Sequence, residues 1–170
     1  WGVADAKDFL EPVDQLVAEG VADPARLAVT GYSYGGYMTA YLTGHDDRFA
    51  AAVAGGIVAD MVSMGGTSED AHLLNLFEIG IMPWESAGRE RLAAMSPYSA
   101  VENVTTPTLV LHGEKDLRCP VHQAQQWHYA LRERGVPTEV VLYPDGSHVF
   151  PLLGRPSHRV DYARRVVEWV

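Results

Sequence analysis

Hydrophobic side chains recur along the chain with two different spacings. Near the start they recur every three or four residues, as on one face of an α-helix, and Gly20 follows as a stop signal. This first helical face consists of Ala6, Phe9, Leu10, Val13, Leu16 and Val17. Later, short runs with few polar interruptions are typical of buried strands. These runs cover residues 26–30, 49–54, 108–112 and 138–143.

Helical patterns separate these runs and follow the last one. Residues 36–43 form the first such pattern, which ends near Gly44. Another begins at Pro120, a favourable first residue of a helix, and ends at Gly135. Its predicted inward face comprises Val121, Ala124, Trp127 and Leu131. A last helix is predicted from about Pro156. Its apolar face comprises Val160, Ala163, Val166 or Val167, and Val170.

The segment at residues 57–95 has a weaker pattern. Short helical patches occur at 60–64, 71–78 and 87–94, and glycines and Pro83 interrupt them. We therefore predict that this segment covers an active site rather than adding strands to a sheet.

Strands that alternate with helices predict a parallel sheet covered by helices on both faces. The strand runs are largely apolar, as expected for strands buried on both sides. The predicted fold class is therefore α/β, and in such sheets ligands bind at the carboxyl ends of the strands. With 170 residues, 47% of them hydrophobic, the chain suits one domain with one core.

Charge and cysteine content argue against several kinds of function. The net charge is −9 with acidic and basic residues interspersed, which argues against a nucleic-acid partner. The longest apolar stretch, residues 49–59, is too short to cross a membrane. The single cysteine, Cys119, excludes a disulfide within the chain and agrees with a reducing, cytoplasmic location. No cysteine cluster and no H-x-x-x-H or H-E-x-x-H spacing occurs, so we predict no metal and no other cofactor.

A serine, an acid and a histidine follow three of the predicted strands. Ser33 follows the first run, Asp116 the third and His148 the fourth. Because the carboxyl ends of parallel strands meet at one edge of a sheet, we expect these side chains to lie together. This chain order is typical of α/β-hydrolases. His148 would take the proton of the weakly acidic Ser33 hydroxyl, and Asp116 would orient the imidazole.

The stretch GYSYGG, which contains Ser33, has the G-x-S-x-G pattern of a sharp strand-to-helix turn. Such a turn forces strained backbone angles on the serine, and we predict that Gly31 and Gly35 leave space beside it. Gly36 would let the following helix lie close to the strand. The backbone N–H of Tyr34 would then hold an oxyanion at the N-terminus of that helix.

Other residues compete for these roles. Glu114 and Asp145 are rival acids, although Asp145 belongs to the same loop as the histidine. Of the seven histidines, only His148 follows the last strand. The others are His45, His72, His112, His122, His128 and His158. Cys119 precedes the predicted helix at Pro120, which could lower the pKa of its thiol, but an inert thiol near the site is the preferred interpretation.

Nearly the whole chain resembles the prolyl oligopeptidase family of serine peptidases, most closely its acylaminoacyl-peptidase branch. The stretch GYSYGGYMTA at residues 31–40 is similar to the family's nucleophile elbow, and HGEKDLRCP at residues 112–120 is similar to its acid loop. Further similar segments are WGV with Asp5 and Asp8, Pro83-Trp84, Ser96-Pro97 and Pro156-Ser157-His158-Arg159.

The resemblance implies an enzyme with Ser33 as nucleophile, Asp116 as acid and His148 as base. Such an enzyme cleaves short peptides, of the acylaminoacyl or dipeptidyl type, through an acyl-enzyme on the serine. Residues 57–84 would line the pocket for the residue before the cleaved bond. The side chains that suggest an apolar pocket are Met61, Val62 and Met64.

The resemblance also implies that residues 1–170 are the C-terminal part of an α/β-hydrolase catalytic domain, without the N-terminal propeller of the family. The first residue, Trp1, and the apolar last residues, 166–170, both resemble cuts in a longer protein. The strand before the serine would then have an uncovered edge. We expect either a homo-oligomer or the remainder of the catalytic domain to cover it.

Two alternatives to the peptidase remain open at this stage. The first is an esterase with the same triad and a different pocket. The second is an inactive fragment, because the second oxyanion donor of such hydrolases comes from a loop before the nucleophile strand. Loss of one donor lowers the rate by about a hundred- to a thousand-fold.

Overall fold

The computed structural model describes residues 1–170 and contains one four-stranded sheet. Its strands are β1 (Ala28–Tyr32), β2 (Ala51–Gly55), β3 (Thr108–Gly113) and β4 (Thr138–Tyr143). They pair in parallel in the order β1-β2-β3-β4. Ala54 lies opposite Gly31 on one side and Val110 on the other. The predicted α/β class with a parallel sheet is confirmed.

Helices and short turns connect the strands, and helices also precede the first strand and follow the last one. The α-helices are α1 (Val3–Ala18), α2 (Tyr34–His45), α3 (Met61–Thr67), α4 (Ala71–Leu74), α5 (Gly88–Met95), α6 (His122–Glu133), α7 (Phe150–Leu153) and α8 (Pro156–Trp169). A π-helical turn at Asn75–Ile79 continues α4, and 3-10 helices occur at Pro24–Arg26 and Pro97–Asn103. None of the helices combines the length and apolar character needed to cross a membrane.

Helices cover both faces of the sheet because successive strand residues point in opposite directions. On one face, Ala54 and Val110 pack against Ala124 and Trp127 of α6. On the other face, a separate cluster comprises Val53, Leu109, Leu111, Tyr143 and Phe150, with Tyr162, Val166 and Trp169 of α8 packed against it. Every residue of β3 is buried, as expected for a central strand covered on both sides.

Several predicted boundaries move by a few residues. The first strand begins at Ala28 because Pro24–Arg26 forms a 3-10 turn, in which the Asp23 side chain accepts a hydrogen bond from the Ala25 N–H. The helix predicted from Pro120 begins at His122. The residues before it form a tight turn instead, since the N–H of Gln123 bonds to the carbonyl of Pro120. The last strand has the predicted bounds.

The predicted apolar face of α8 is wrong for most of its residues. Val160, Val167 and Val170 are 69%, 75% and 59% exposed. The packed side of the helix instead carries Tyr162 and Trp169, with Val166 between them. Both sides of this helix contain apolar residues, and the large aromatic rings bury more area against the sheet than the valines would. The helix therefore begins at Pro156 as predicted but faces the other way.

The strand that leads to Ser33 lies at one edge of the sheet. β1 pairs with β2 alone, and its burial alternates between exposed and half-buried residues. Unpaired N–H and C=O groups of an edge strand can pair with another strand. The predicted uncovered edge is therefore present among residues 1–170.

Candidate active site

Ser33 lies between β1 and α2 in a conformation that L-residues rarely adopt. Its φ is 60° and its ψ is −116°, so the chain reverses sharply at this residue. A Cβ atom on Gly31 would collide with the backbone of Gly35, and one on Gly36 would collide with the carbonyl of Gly55. These two glycines therefore make the turn and the close packing of α2 possible. A Cβ on Gly35 meets nothing within 4 Å, so the prediction that this glycine is needed for space is wrong.

The structure brings Ser33, His148 and Asp116 together at the carboxyl ends of three strands. The distance from His148 Nε2 to Ser33 Oγ is 2.9 Å, and the distance from His148 Nδ1 to Asp116 Oδ2 is 2.8 Å. The carboxylate accepts a hydrogen only from a protonated Nδ1, which leaves the Nε2 lone pair directed at the serine hydroxyl. This tautomer is the one in which the imidazole can accept a proton from Ser33.

The Asp116 carboxylate is buried but its hydrogen bonds are satisfied. Oδ1 accepts hydrogen bonds from the backbone N–H groups of Arg118, at 3.0 Å, and Cys119, at 2.8 Å. Oδ2 faces His148. A buried carboxylate without hydrogen-bond partners would be strongly destabilising. The hydrogen bonds from these three donors therefore stabilise the negative charge of Asp116 next to the imidazole.

The backbone N–H of Tyr34 is the first in α2 and has no partner inside the helix. It lies directly after Ser33, where an oxyanion would form. Residues near the N-terminus of the chain hold the side chain of Tyr34. Its hydroxyl donates to Asp5 Oδ2 at 2.6 Å, and its ring lies 4.8 Å from that of Trp1. Burial and the Asp5 carboxylate raise the pKa of this phenol, which keeps the hydroxyl protonated as a donor.

Neither rival acid reaches His148. Asp145 lies on the exposed side of the histidine loop and forms ion pairs with Lys115, at 2.6 Å, and Arg155, at 3.1 Å. The hydrogen bond and charge of Lys115 lower the pKa of the Asp145 carboxyl. Glu114 is also exposed, and its Oε2 lies 3.4 Å from the Asp145 backbone nitrogen.

Sequence reasoning placed His112 at the end of the third strand but missed its contact with the acid loop. This side chain is fully buried at the end of β3, with Nε2 2.7 Å from the Cys119 carbonyl and 3.7 Å from Asp116 Oδ2. Its Nδ1 has no hydrogen-bond partner, and burial lowers the pKa of the imidazole, which is therefore neutral with the proton on Nε2. The available signal was its place directly before the acid loop, at the end of a strand.

An apolar cavity of about 420 Å³ opens beside Ser33. Its hydrophobic walls include Val58, Met64, Leu74 and Phe77 from the segment predicted to cover the site. The remaining lining residues are Trp1, Tyr34, Asp70, Leu73, Glu78, Arg118 and Cys119. Of the three side chains predicted to mark an apolar pocket, Met64 lines this cavity, whereas Met61 and Val62 pack against the core cluster around α2.

A larger groove of about 810 Å³ borders the other ends of the strands, near Leu27 and His45, and includes none of the three site residues. Most of the residues that line this open groove are polar, and Asp14, Asp46 and Arg48 are joined in ion pairs. The candidate catalytic site is therefore at the smaller cavity, which Ser33 lines.

Cys119 is buried in the wall of the cavity that contains Ser33. Burial raises the pKa of its thiol, and the neighbouring Asp116 carboxylate raises it further. A thiol that stays protonated is a poor nucleophile, which supports the prediction of an inert cysteine near the site. No cluster of three or more histidine, cysteine, aspartate or glutamate side chains suitable for a metal ion occurs in residues 1–170.

Two curated proteins are similar in sequence to almost the whole chain. The acylamino-acid-releasing enzyme of Arabidopsis thaliana is 36% identical over 174 residues, which are 99% of this chain and 22% of that protein. Dipeptidyl-peptidase 5 of Porphyromonas gingivalis is 36% identical over 173 residues, which are 100% of this chain and 25% of that protein. The chain thus spans about a quarter of the length of these relatives.

A solved structure has the same fold along almost the whole chain. An acylaminoacyl peptidase in complex with Z-Gly-Gly-Phe-chloromethyl ketone matches with a TM-score of 0.91 and 28% identity, over 98% of this chain and 27% of that one. The model of the prolyl oligopeptidase family matches residues 1–170. The chain, with its nucleophile elbow and its serine, histidine and aspartate in contact, belongs to the prolyl oligopeptidase family of serine peptidases.

Proposed function

We propose that the gene product containing these residues is a serine peptidase that forms an acyl-enzyme on Ser33. The observation that carries the proposal is the continuous contact from Asp116 through His148 to Ser33, at 2.8 Å and 2.9 Å. An imidazole held between a buried carboxylate and a hydroxyl is the arrangement that activates a serine for attack on a carbonyl carbon.

In the first half of the reaction, Ser33 Oγ attacks the substrate carbonyl carbon while its proton passes to His148 Nε2. The negative charge of Asp116 stabilises the imidazolium that results. The imidazolium then gives this proton to the leaving amine as the C–N bond breaks, which leaves the acyl group on the serine. In the second half, water attacks the ester carbonyl and His148 takes the water's proton. The imidazolium then gives this proton to Ser33 Oγ as the bond between Oγ and the acyl carbon breaks, which releases the carboxylic acid product and restores the Ser33 hydroxyl.

The carbonyl oxygen carries a negative charge at each tetrahedral stage. The Tyr34 N–H at the start of α2 supplies one hydrogen bond to this oxygen, and the helix dipole favours the charge. In hydrolases of this fold a second donor comes from a loop that precedes the nucleophile strand. We propose that a loop of this kind supplies the second donor here, from the side of the open edge of β1.

The apolar cavity beside Ser33 is the proposed site for the side chain before the cleaved bond. Its volume of about 420 Å³ leaves room for a large apolar side chain between Met64, Leu74 and Phe77. The related acylaminoacyl peptidase that binds Z-Gly-Gly-Phe-chloromethyl ketone supports this choice. We propose short peptides as the substrate class, cleaved after an acylated N-terminal residue or after a free N-terminal dipeptide.

The test is labelling of the full-length gene product with a fluorophosphonate probe, followed by intact mass measurement. One adduct on the parent and none on folded Ser33→Ala would support an activated Ser33. Absence of an adduct on a full-length protein that circular dichroism shows to be folded would contradict the peptidase. An adduct on the full-length protein and none on folded residues 1–170 would support the inactive fragment. A preference for simple acyl esters over acylated aminoacyl substrates by orders of magnitude would support the esterase.

Two further statements from the sequence stay predictions. The lone Cys119 predicts a reducing, cytoplasmic location, and the open edge of β1 predicts a covering partner. Fractionation of the source cells and light scattering of the purified gene product would measure these two properties.

A further inference from the structure

The side chain of Tyr32 joins the strand of the nucleophile to the loop of the base. Its hydroxyl donates to the backbone carbonyl of His148 at 2.8 Å, and the two rings lie 5.4 Å apart. The residues are 116 positions apart in the sequence. Tyr32 is also covalently next to Ser33, so one residue fixes both reacting partners relative to each other.

The space around the Tyr32 ring is shaped to hold it in one position. A Cβ atom on Gly55 would lie 2.6 Å from the ring, and one on Gly56 would lie 2.8 Å from it. These glycines at the end of β2 therefore leave the room that the ring occupies. Phe150 and Tyr162 meet the ring edge to face, at 6.2 Å and 6.0 Å. Burial raises the pKa of the Tyr32 phenol, so the hydroxyl stays protonated and keeps donating its hydrogen bond. Substitution of Tyr32 is therefore the way to remove this donor.

The loop that carries His148 has little packing on its other side. Val149 is 40% exposed and Leu152 is 71% exposed. Between the loop and α8 lies an apolar cavity of about 260 Å³, bordered by both of these residues, His148 and Tyr162. On the β1 side, the loop is held by the hydrogen bond from Tyr32 and by the contacts of the His148 and Phe150 rings with the Tyr32 ring.

We propose that Tyr32 is a positioning residue, which holds His148 at hydrogen-bond distance from Ser33 and in line with Asp116. The inference rests on the proposed serine peptidase function. Proton transfer depends steeply on geometry, and a misplacement of about 1 Å can lower a rate by about a hundred-fold. Without the phenol hydroxyl, the His148 carbonyl loses its partner and the imidazole moves towards the open side of the loop, at Val149 and Leu152.

The charged and titratable groups that face His148 come from three elements. Asp116 lies in the loop after β3, Ser33 follows β1, and Tyr32 ends β1. His112 at the end of β3 is close enough to interact with it electrostatically. Among these groups, Asp116 holds the imidazole through its Nδ1 proton and Ser33 faces Nε2, so a displaced ring lengthens both hydrogen bonds.

The test compares Tyr32→Phe with the parent in the full-length gene product. Tyr162→Phe is the matched control, because it removes a hydroxyl from the same aromatic cluster without a hydrogen bond to the triad. We expect Tyr32→Phe to lower kcat per titrated active site by about tenfold, with KM within about twofold of the parent. Tyr162→Phe should match the parent in both measurements.

A second measurement separates this inference from the peptidase proposal. The NMR resonance of the His148 Nδ1 proton reports the hydrogen bond to Asp116 whether or not a peptide is hydrolysed. A shift of this resonance to higher field in Tyr32→Phe would support positioning even if the parent gave no adduct on Ser33, an outcome that would contradict the peptidase alone. An unchanged resonance and an unchanged kcat in a folded Tyr32→Phe protein would overturn the positioning role, even where its melting temperature is lower.

Discussion

Two glycines near Ser33 have opposite surroundings, although both belong to the G-x-S-x-G pattern. A side chain on Gly31 would collide with the backbone of Gly35, whereas a side chain on Gly35 would meet open space. The pattern alone assigns them the same purpose. The structure shows that only the first is required for the turn, because the backbone of the second is the obstacle.

We therefore expect Gly31→Ala to disrupt the elbow and Gly35→Ala to preserve the fold. Gly31→Ala should lower the melting temperature and abolish fluorophosphonate labelling, because backbone atoms cannot move away from the new methyl group. Gly35→Ala lies in the first turn of α2 and should leave stability unchanged or raise it by about 0.5–1 kcal/mol. Thermal unfolding of both variants tests this, and equal melting temperatures would contradict it.

His112 is a buried neutral side chain whose single hydrogen bond closes the acid loop. Replacing it with leucine leaves the Cys119 carbonyl without a donor, for which we expect a loss of about 1–3 kcal/mol in the free energy of unfolding. His112→Gln keeps an N–H donor at the same distance along the side chain and should recover much of this loss. Denaturant unfolding of the two variants measures the difference. Equal stability of His112→Leu and the parent would show that the bond is unimportant.

Burial of His112 also predicts a pH dependence of stability. Its pKa in the folded state lies below the ordinary value of 6.5, so below that value the unfolded state binds more protons than the folded state. Stability should therefore fall as the pH decreases from about 6.5 towards the lower pKa of the folded state. His122 and His128 contribute in the same direction, since burial lowers the pKa of each. The melting temperature between pH 7 and pH 5 should fall less steeply in His112→Gln than in the parent.

At the scale of elements, three loops at the carboxyl ends of β1, β3 and β4 supply the site. Strand and helix patterns were sufficient to predict this, because ends of parallel strands meet regardless of the details of packing. The cover between β2 and β3 was predicted only as interrupted helices. Its cavity depends on how α3, α4 and the π-helical turn at Asn75–Ile79 pack above Ser33, which no local pattern encodes.

The segment between β2 and β3 forms the cavity wall, so a substitution in it should change the selectivity for the side chain before the cleaved bond. Leu74→Trp should fill part of the space beside Ser33 and exclude large side chains. For substrates with phenylalanine before the cleaved bond, kcat/KM should fall about 10–200-fold more than for those with alanine. Val160→Trp is the control, because Val160 is 69% exposed on α8 and lies outside this cavity. An equal loss for both substrates would show that the cavity does not receive that side chain.

At the scale of the whole molecule, the sheet has an open edge at the strand that leads to the nucleophile. Residues 1–170 alone should therefore self-associate, because β1 offers unpaired backbone groups. Thr30→Lys, on the exposed side of β1, should reduce this association, since charged lysine side chains protect strand edges. Light scattering of the 170-residue chain over a range of concentrations measures both proteins. A parent that stays monomeric at high concentration would contradict the prediction.

The sequence by itself determined the fold class, the order of the elements and the three residues that meet at the strand ends. These follow from local patterns, because hydrophobic periodicity and glycine positions act within a few residues. The sequence was a less reliable guide where either side of a helix could pack against the sheet. The last helix has apolar residues on two sides, and its exposed valines at 160, 167 and 170 were assigned to the wrong side.

Only the tertiary structure decided the contacts between residues far apart in the chain. It placed the hydroxyl of Tyr32 on the carbonyl of His148, the ring of His112 beside Asp116, and the aromatic side of α8 on the sheet. Each of these contacts depends on the relative position of elements that pack last, after loops of many residues have closed. A periodic pattern specifies which side chains are apolar, but the neighbours they meet are set by the packing of the whole molecule.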